Sequence, residues 1–479
     1  MIRAAAVCLG MMVLAGKLNA QNDSALQAMY PFLHADSNRI VNVHALRPFY
    51  QKLKDLKTGK IRQVRVVHIG DSHLQADFFS GETRRLLQEE FGNAGRGFVF
   101  PYRAAKTNGP SDYSSGSYGN WESKRAVFVN QPLPIGLGGI TLSSGDSTAL
   151  IYLKLKDEEL DRYAFDKVTI FRQPGINQFD LAMGVDIPVR KSNSSIDGYR
   201  FHTVRSGESL GVIASNYRTS VRQLKDWNHL RSDLIRAGQK LIVGITYQTL
   251  VEEETAYNDL YCLPAMDGPV AVACMLPSLS TSVYIRHMPL TPEQTSGIIY
   301  GISLENTRNT GILYHTIGVN GAQYSHYSQA AYFTEQISSL QPDLIIFSLG
   351  TNESFATELG EMELYGWIDS LVNQLATRNP EASLLICSQP DTYKSRRYKN
   401  PRNIMIRETL RSYAENRYAA FWDMNEVLGG YGSMNSWFRA GLTARDKVHF
   451  GPAGYRIQGQ LLYNALKQGY EHVGAAGLD

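Results

Sequence analysis

The chain has 479 residues, of which 43% are hydrophobic, and its formal net charge is only +3. This length exceeds that of an ordinary single domain, so we expect more than one domain, each with its own core. The small net charge gives no reason to expect a nucleic-acid-binding protein, and the sequence contains no motif for binding nucleic acid.

The first 20 residues have the pattern of a secretory signal peptide. Arg3 supplies a positive start, residues 4–16 form a short apolar run, and Leu18-Asn19-Ala20 is a candidate cleavage site. The alternative is an anchoring membrane helix, which is disfavoured because the apolar run is too short to cross a bilayer. We therefore expect cleavage near Ala20, export to a periplasm or the cell surface, and no stable membrane insertion.

Helices and strands alternate at the start of the mature chain. Apolar spacing predicts a helix over His44–Lys57, a strand over Val64–Ile69 and a helix over Glu82–Phe91. Ser72 falls in the turn that follows this strand. The segment is therefore a strand–turn–helix unit with a serine at the turn.

The pattern changes after about Pro110. Short alternating segments such as Ala149–Leu155 and Ser282–Met288 predict a β-sandwich, which occupies residues 108–198 and 245–310. Between these two stretches, residues 199–244 predict a separate unit of strand, helix, helix and strand.

Alternation of strands and helices resumes at residue 311. Buried apolar strands between helices indicate a parallel sheet with helices on both faces. The predicted strands are Gly311–Ile317, Leu344–Ser348, Leu384–Cys387 and Ala419–Trp422, and the predicted helices are Ser328–Leu340, Tyr365–Ala376, Ile404–Arg417 and Gly454–Gly469. We assign residues 21–107 and 311–479 to one three-layer α/β/α domain, which the sandwich splits.

Several polar residues stand where this sheet would present them together. Ser72 and Asn352 each follow a strand, Gly321 follows another, and Asp446 and His449 precede the last helix. Ligands collect at the carboxyl ends of parallel strands. A serine can attack an acyl group, a histidine can take its proton, and a carboxylate can orient that histidine. The asparagine amide and backbone N–H groups can stabilise an oxyanion.

This arrangement resembles the SGNH (GDSL-type) hydrolase family. The family's four blocks match Gly70-Asp71-Ser72, Gly321, Gly350-Thr351-Asn352-Glu353 and Asp446-Lys447-Val448-His449. The resemblance implies Ser72 as nucleophile, His449 as base and Asp446 as its orienting carboxylate. It also implies an oxyanion hole of Ser72, Gly321 and Asn352. Glu353 departs from the aspartate that usually ends the third block, which leaves the hydrogen bonding around it open.

Residues 199–244 resemble a LysM domain over their full length. Matching positions include His202, Gly207, Trp227-Asn228 and Gly238. The family binds N-acetylglucosamine-containing glycans such as peptidoglycan between two loops, and the alternative is a module that only spaces domains. The loop residues implied here are Gly207, Glu208, Ser209, Leu210, Ser232, Asp233, Leu234 and Ile235. The surrounding sandwich resembles a carbohydrate-binding module, and a structural collar around the cleft is equally consistent with its strands.

The whole arrangement resembles the peptidoglycan O-acetylesterases of the SGNH superfamily, in which a β-sandwich follows the nucleophile block. This resemblance implies an exported serine esterase that removes O-acetyl groups from muramic acid without metal or organic cofactor. The alternatives are an acetylesterase for other glycans, a general acylhydrolase, acetyl transfer between sugars, and a non-catalytic cell-wall-binding protein. The sequence leaves the oligomeric state open.

Two further features remain unassigned. Export permits a Cys262–Cys274 disulfide, although all three cysteines of the mature chain could equally be buried hydrophobes, and Cys387 is expected to be free in a core strand. The basic loop Lys394–Lys399 could contact an anionic substrate or simply be a solvated surface loop.

Overall fold

The structure is a computed structural model that describes residues 23–128, 133–187, 193–250, 257–264 and 271–475. The predicted signal peptide and its cleavage site lie outside the described residues. The chain forms two compact units, of which the smaller comprises Ile187–Asn258. Among the described residues, the structure contains no helix with the length and apolar character needed to cross a membrane.

A six-stranded sheet organises the larger unit. Its strand order is Ile40–Val41, Ala420–Trp422, Ser383–Cys387, Leu344–Ser348, Gln63–Gly70 and Gly311–Gly318. The short edge strand Ile40–Val41 pairs antiparallel, and all the other pairings are parallel. The strands on both sides of the insertion thus join one sheet. The predicted α/β class is confirmed.

The sheet separates two apolar layers because successive strand residues point to opposite faces. Val66, Tyr314 and Ile346 face one core together with the helices Arg47–Lys57, Phe78–Phe91 and Pro452–Ala475. Val67, Ile317 and Phe347 face the other core, which contains the helices Glu361–Arg378 and Arg402–Asn416. The three-layer arrangement follows from strands that are apolar on both sides.

The helices of this unit have residue patterns that suit their places. Helix Arg47–Lys57 has a proline near its start and buries Phe49, Tyr50, Leu53 and Leu56 on one face. The predicted helices are present with shifted ends, as expected where capping rather than periodicity sets the boundary. The remaining helices of the unit are Asp23–Met29, Ser72–Gln75, Leu160–Tyr163, Tyr324–Ser328, Phe333–Ser339, Met424–Val427 and Met434–Arg439.

Two antiparallel sheets form the sandwich. One has the order Tyr261–Leu263, Asp180–Gly184, Ser282–Met288, Leu150–Leu155 and Tyr113–Tyr118. The other has the order Ala271–Ser280, Phe165–Arg172, Gly297–Glu305, Ile140–Ser144 and Glu122–Arg125, and Gly97–Val99 also pairs with Gly297–Glu305. Their inward side chains, such as Ile151 and Ile170, belong to one core with Val67 of the α/β sheet. The sandwich therefore includes the strand Gly97–Val99, although the sequence predicted that the sandwich begins at residue 108.

The smaller unit is a two-stranded antiparallel ribbon with two short helices. Strands Asn193–Thr203 and Lys240–Leu250 pair along their length, and helices Leu210–Asn216 and Val221–Trp227 lie between them in the chain. Ser209 and Ser220 cap the two helices by accepting backbone N–H groups. The ribbon extends past both ends of the predicted range 199–244.

The two cysteines considered for a disulfide are both free thiols. Cys262 lies in an exposed position of one sandwich sheet, and Cys274 is buried in the other. Facing sheets are separated by about 10 Å, and a disulfide requires much closer Cβ atoms, so this pairing is not formed. Cys387 is a free thiol in its core strand, as expected.

Candidate active site

Ser72 stands at the carboxyl end of a central strand. Strand Gln63–Gly70 ends at Gly70, and Ser72 is the first residue of the short helix Ser72–Gln75. Asp71 Oδ1 accepts a hydrogen bond of 2.9 Å from the backbone N–H of His73, and this side chain so caps the helix. A Cβ atom at Gly70 would lie 2.7 Å from the carbonyl oxygen of Ser348. Only glycine therefore lets the neighbouring strand approach this turn.

Ser72, His449 and Asp446 form a continuous chain of hydrogen bonds. The distance from Ser72 Oγ to His449 Nε2 is 2.9 Å, and that from His449 Nδ1 to Asp446 Oδ2 is 2.7 Å. A carboxylate can only accept, so the Nδ1 proton donates to Asp446 and Nε2 is left to accept the serine proton. This tautomer suits a histidine that acts as a general base.

The loop that carries His449 is held by its own backbone. Asp446 Oδ1 accepts the N–H groups of Val448 at 2.9 Å and His449 at 3.0 Å. The N–H of Ala444 donates to the carbonyl of His449 at 2.8 Å. Partial burial acts to raise the pKa of Asp446, but the hydrogen bonds from His449 and Val448 outweigh it and hold this pKa below its usual value. Asp446 is therefore a carboxylate at neutral pH.

The elements expected to hold an oxyanion follow three adjacent strands. Gly318 and Ser348 both lie in register with Gly70, which places Gly321, Ser72 and Asn352 beyond the same edge of the sheet. The backbone N–H groups of Ser72 and Gly321 have no hydrogen-bond acceptor among the described residues. Gly321 has φ of +85°, a conformation that favours glycine. Two free donors thus stand at this edge beside the nucleophile.

The Asn352 side chain is already engaged within the protein. Its amide nitrogen donates to the carbonyl of Ala322 at 2.9 Å and lies 3.4 Å from Asp71 Oδ2. The first bond is strong and the second is long. One amide proton therefore anchors Asn352 to the Gly321 loop, and the other is the proton that could turn to a substrate oxygen.

Glu353, the residue that departs from the family pattern, links two blocks of the site. Its Oε1 accepts the backbone N–H of Tyr324 at 2.9 Å, and Oε2 is buried without a hydrogen-bond partner among the described residues. Burial raises the pKa of Glu353 to about 7. Burial, together with the nearby charge of Glu353, raises the pKa of Asp71 to about 8. The site therefore contains two buried carboxyl groups, Asp71 and Glu353, whose pKa values are both raised, chiefly by burial.

The other histidines near the motifs are packed within the protein. The ring of His73 lies 5.4 Å from that of His449, and its Nδ1 lies 3.0 Å from the hydroxyl of Tyr455. His68 bridges the hydroxyls of Tyr314 and Ser348 below the turn. Burial lowers the pKa of His73 and of His68 to about 3, so both are neutral.

Two contributors to the site could not be identified from the motifs. Gln75 Oε1 accepts the N–H of Asn320 at 2.6 Å, and its amide donates to the carbonyl of Asn108 at 2.7 Å. Gln75 thereby ties the Gly321 loop to the helix that begins at Ser72. Tyr455 orients His73 from the last helix. Neither residue stands in a distinctive pattern, because each acts through a contact with a segment far away in sequence.

Within the smaller unit, the predicted glycan-binding residues divide into two groups. Gly207, Ser232, Asp233 and Leu234 are exposed, and the Leu234 side chain is 77% exposed. Glu208 instead accepts hydrogen bonds from the N–H of Arg205 and from His202. Ser209 is a helix cap, and Ile235 packs against the module's core.

Leu210 differs from its predicted role because its side chain is buried in the core with Ile213 and Leu224. It starts the helix Leu210–Asn216 and faces inward, so any contact of this residue with a glycan would have to use its backbone. Trp227 packs against the same core, as expected.

The described part of the chain contains no group of three or more His, Cys, Asp or Glu side chains suited to a metal ion. The hydrogen-bonded chain of Ser72, His449 and Asp446 supplies a nucleophile, a base and an orienting group from side chains alone.

Comparison with known families identifies two domains. The model of the LysM domain matches residues 202–244, and that of the GDSL-like Lipase/Acylhydrolase family matches residues 303–457. The chain contains a LysM domain and a GDSL-like acylhydrolase domain. The second match includes Gly321, Asn352, Asp446 and His449, whereas Ser72 lies on the other side of the insertion.

Two curated relatives are each similar over only part of the chain. An N-acetylmuramoyl-L-alanine amidase of Staphylococcus aureus is 28% identical over 181 residues, which are 35% of this chain and 48% of the relative. A probable N-acetylmuramidase of Lactococcus lactis is 55% identical over 41 residues, 9% of each chain. The chain thus spans about half the length of the amidase and a small part of the muramidase.

A solved structure of a peptidoglycan O-acetylesterase is similar over most of the fold. The match covers 89% of this chain and 96% of that chain, with a TM-score of 0.61 and 23% sequence identity. This likeness confirms the SGNH-type fold that the sequence predicted.

Proposed function

We propose that this chain is an exported serine esterase that removes O-acetyl groups from peptidoglycan, at the muramic acid C6 hydroxyl. The observation that carries the proposal is the hydrogen-bonded series Ser72, His449 and Asp446, because it is the arrangement that acyl transfer to serine requires. The fold it shares with a peptidoglycan O-acetylesterase supports the same reaction.

In the first half-reaction, Ser72 Oγ attacks the acetyl carbonyl carbon while His449 Nε2 takes the serine proton. The carbonyl oxygen becomes an oxyanion beside the N–H groups of Ser72 and Gly321, with the free amide proton of Asn352 as a third donor. The carbon–oxygen bond to the sugar then breaks, and His449 returns its proton to the sugar hydroxyl. The acetyl group is left on Ser72.

In the second half-reaction, water takes the place of the sugar. His449 removes a proton from the water, which attacks the acetyl carbonyl, and the bond to Ser72 Oγ breaks. His449 then protonates the serine, and acetate leaves. The side chains of His449 and Asp446 are 40% and 41% exposed, so water can reach the base. A sugar hydroxyl in place of this water would give acetyl transfer instead.

The LysM domain supports peptidoglycan as the substrate. Its loop residues Gly207, Ser232, Asp233 and Leu234 are exposed, and we assign the binding contacts to these loops. Asp233 is also paired with Lys225 at 2.7 Å. The relatives that match parts of this chain are named as an amidase and a probable muramidase, whose names refer to bonds of N-acetylmuramic acid. This chain covers only part of the length of each relative. The relatives therefore support the cell wall as the place where the protein acts, and they give no support for ester hydrolysis. Export places the enzyme beside that substrate.

The test compares acetate release from O-acetylated peptidoglycan, acetylated xylan and a long-chain acyl ester. We expect acetate from peptidoglycan at the highest kcat/KM, and loss of this activity in Ser72→Ala. Ser114→Ala is the matched control, because Ser114 lies on an exposed edge of the sandwich. Cleavage of xylan without cleavage of peptidoglycan would show that the substrate is wrong. Undiminished hydrolysis by Ser72→Ala would show instead that the catalytic assignment is wrong.

A further inference from the structure

Positive side chains are concentrated in two segments whose backbones contact each other close to the loop of the catalytic histidine. One is a small hairpin of strands Tyr393–Lys394 and Tyr398–Lys399, and the other is the segment 439–447. None of these side chains pairs with a carboxylate of the described residues, and Lys399 lies over the ring of Tyr431. The whole chain has nearly equal numbers of basic and acidic residues, 48 and 45. The group of positive side chains comprises Lys394, Arg396, Arg397, Lys399, Arg439 and Arg445.

The hairpin is attached to the catalytic machinery on both sides. The N–H of Tyr393 donates to the carbonyl of Lys447 at 3.0 Å, two residues before His449. Just after the hairpin, the side chain of Asn400 donates to the carbonyl of Ser354 at 3.1 Å, two residues after Asn352. The hairpin therefore has a fixed position between the histidine loop and the asparagine loop.

The turn of the hairpin has two residues with positive φ, and its arginines are exposed. Ser395 and Arg396 have φ of 49° and 64°, a region that non-glycine residues rarely adopt. The turn is closed by the N–H of Arg397, which donates to the carbonyl of Lys394 at 3.1 Å. Arg396 and Arg397 are both exposed. Two-residue hairpin turns commonly have this geometry, which fixes the turn with both arginines at the surface.

Carboxylates close to the hairpin are committed elsewhere. Asp446 is bonded to His449, and Asp391 accepts hydrogen bonds from the N–H of Met434 and the side chain of Asn403. Lys447 lies over the rings of Tyr393 and Phe438 and binds the neutral side chain of Asn435. Among the described residues, no carboxylate is therefore left to neutralise the positive charge of the hairpin.

We propose that the hairpin 393–399 is a binding subsite for carboxylate groups of the substrate. This inference rests on the proposed function and specifies the substrate further, as a glycan that still carries peptide side chains with free carboxylates. Guanidinium groups suit this role because they bind carboxylates through two parallel hydrogen bonds. Their charge also draws an anionic substrate toward the cleft.

The experiment compares two soluble forms of O-acetylated peptidoglycan fragment, one with its peptide carboxylates free and one with the same carboxylates converted to amides. The variant is Arg396→Gln with Arg397→Gln, and the matched control is Arg39→Gln with Arg47→Gln, two exposed arginines beside the far edge strand Ile40–Val41. Each rate is normalised to hydrolysis of a small neutral acetyl ester, which measures the folded enzyme.

We expect the hairpin variant to lower the ratio of kcat/KM between the free-carboxylate and the amidated fragments about tenfold, mainly through KM, with no change in the control. Raising the salt concentration is expected to lower the same ratio for the wild type. An unchanged ratio in the hairpin variant would overturn the subsite while the proposed function stands. A wild type that cleaves the neutral ester and neither fragment would overturn the proposed function, and the subsite with it.

Discussion

The site at the sheet edge draws its groups from segments between Ser72 and His449, whereas the LysM domain takes its own from the continuous stretch 202–244. At the sheet edge, the side chains of His449, Asp446 and Asn352 each have an assigned hydrogen-bond partner. In the LysM domain, the loop residue Leu234 projects into solvent. Acyl transfer requires groups fixed to within fractions of an ångström, while a glycan-binding loop needs only to be available.

This contrast predicts large effects at the sheet edge and small ones in the LysM loops. The largest is expected for His449→Ala, which removes the base from both half-reactions. We expect kcat on a small acetyl ester to fall about 10⁴-fold or more, with little change in KM. The control is His34→Ala, an exposed histidine paired with Glu426. Equal activity of His449→Ala and His34→Ala on the acetyl ester would contradict the role of His449 as the base.

The second prediction concerns the oxyanion donors. Asn352→Ala is expected to lower kcat about 10²- to 10³-fold, because it removes a side-chain donor and also the bond that anchors the loop at Ala322. A double variant with Ser72→Ala should be no slower than Ser72→Ala alone, since the two residues act in one step. A fall of only a few-fold would mean that the amide proton stays with Asp71.

The third prediction uses the raised pKa of Glu353, about 7. The folded protein keeps this carboxyl protonated in a pH range where the unfolded chain ionises it. The folded state therefore binds more protons, and its free energy of unfolding falls as the pH rises from about 4.5 toward 7 and above. Glu353→Gln keeps an acceptor for the N–H of Tyr324 and cannot ionise.

We expect Glu353→Gln to flatten this pH dependence and to be more stable than the wild type at pH 8, by at most about 3 kcal/mol. Denaturant unfolding at pH 5 and pH 8 measures both effects. Glu358→Gln, at an exposed position nearby in sequence, is the control. If the wild type and Glu353→Gln lose the same stability between pH 5 and pH 8, another group causes the pH dependence. Asp71 is then the first candidate.

The smallest effect is expected in the LysM domain. Replacing residues 199–244 with a short glycine-containing turn closes the ribbon between Gly198 and Ile245, and should lower acetate release from insoluble wall about tenfold through lost tethering. Hydrolysis of soluble esters should not change. Leu234→Ser should reproduce part of the loss, whereas Val212→Ser, on an exposed helix face, should not. Equal losses on soluble and insoluble substrates would mean that the domain supports the catalytic fold instead.

The sequence predicted the α/β sheet, because its apolar strands and the turns after them leave local patterns. It did not predict the edge strand Ile40–Val41, whose two residues are too short for any periodicity. The pairing of Gly97–Val99 with the sandwich was missed for the same reason. Glu353 illustrates a different limit: its contact with the N–H of Tyr324 joins two blocks, and only the folded structure shows that the longer side chain reaches it.

The buried side chain of Leu210 illustrates a limit of another kind. A loop residue next to a helix cap can turn inward or outward, and the family motif does not distinguish the two. The adjacent cap at Ser209 starts the helix, so Leu210 falls on its buried face. The exposed Leu234 has no such constraint and keeps its predicted place on the surface.

The central strand Gln63–Gly70 lies between two strands, Gly311–Gly318 and Leu344–Ser348, that both follow the insertion. A chain emerging from the ribosome therefore exposes its serine strand long before either neighbour exists. Pairing of strands more than 200 residues apart in sequence closes a long loop and makes folding slow. The sandwich and LysM segments can fold before that strand is paired. Alignment of Ser72 with His449 requires the last turn before the final helix. Ester hydrolysis would thus serve as a signal that the chain has folded over nearly its whole length.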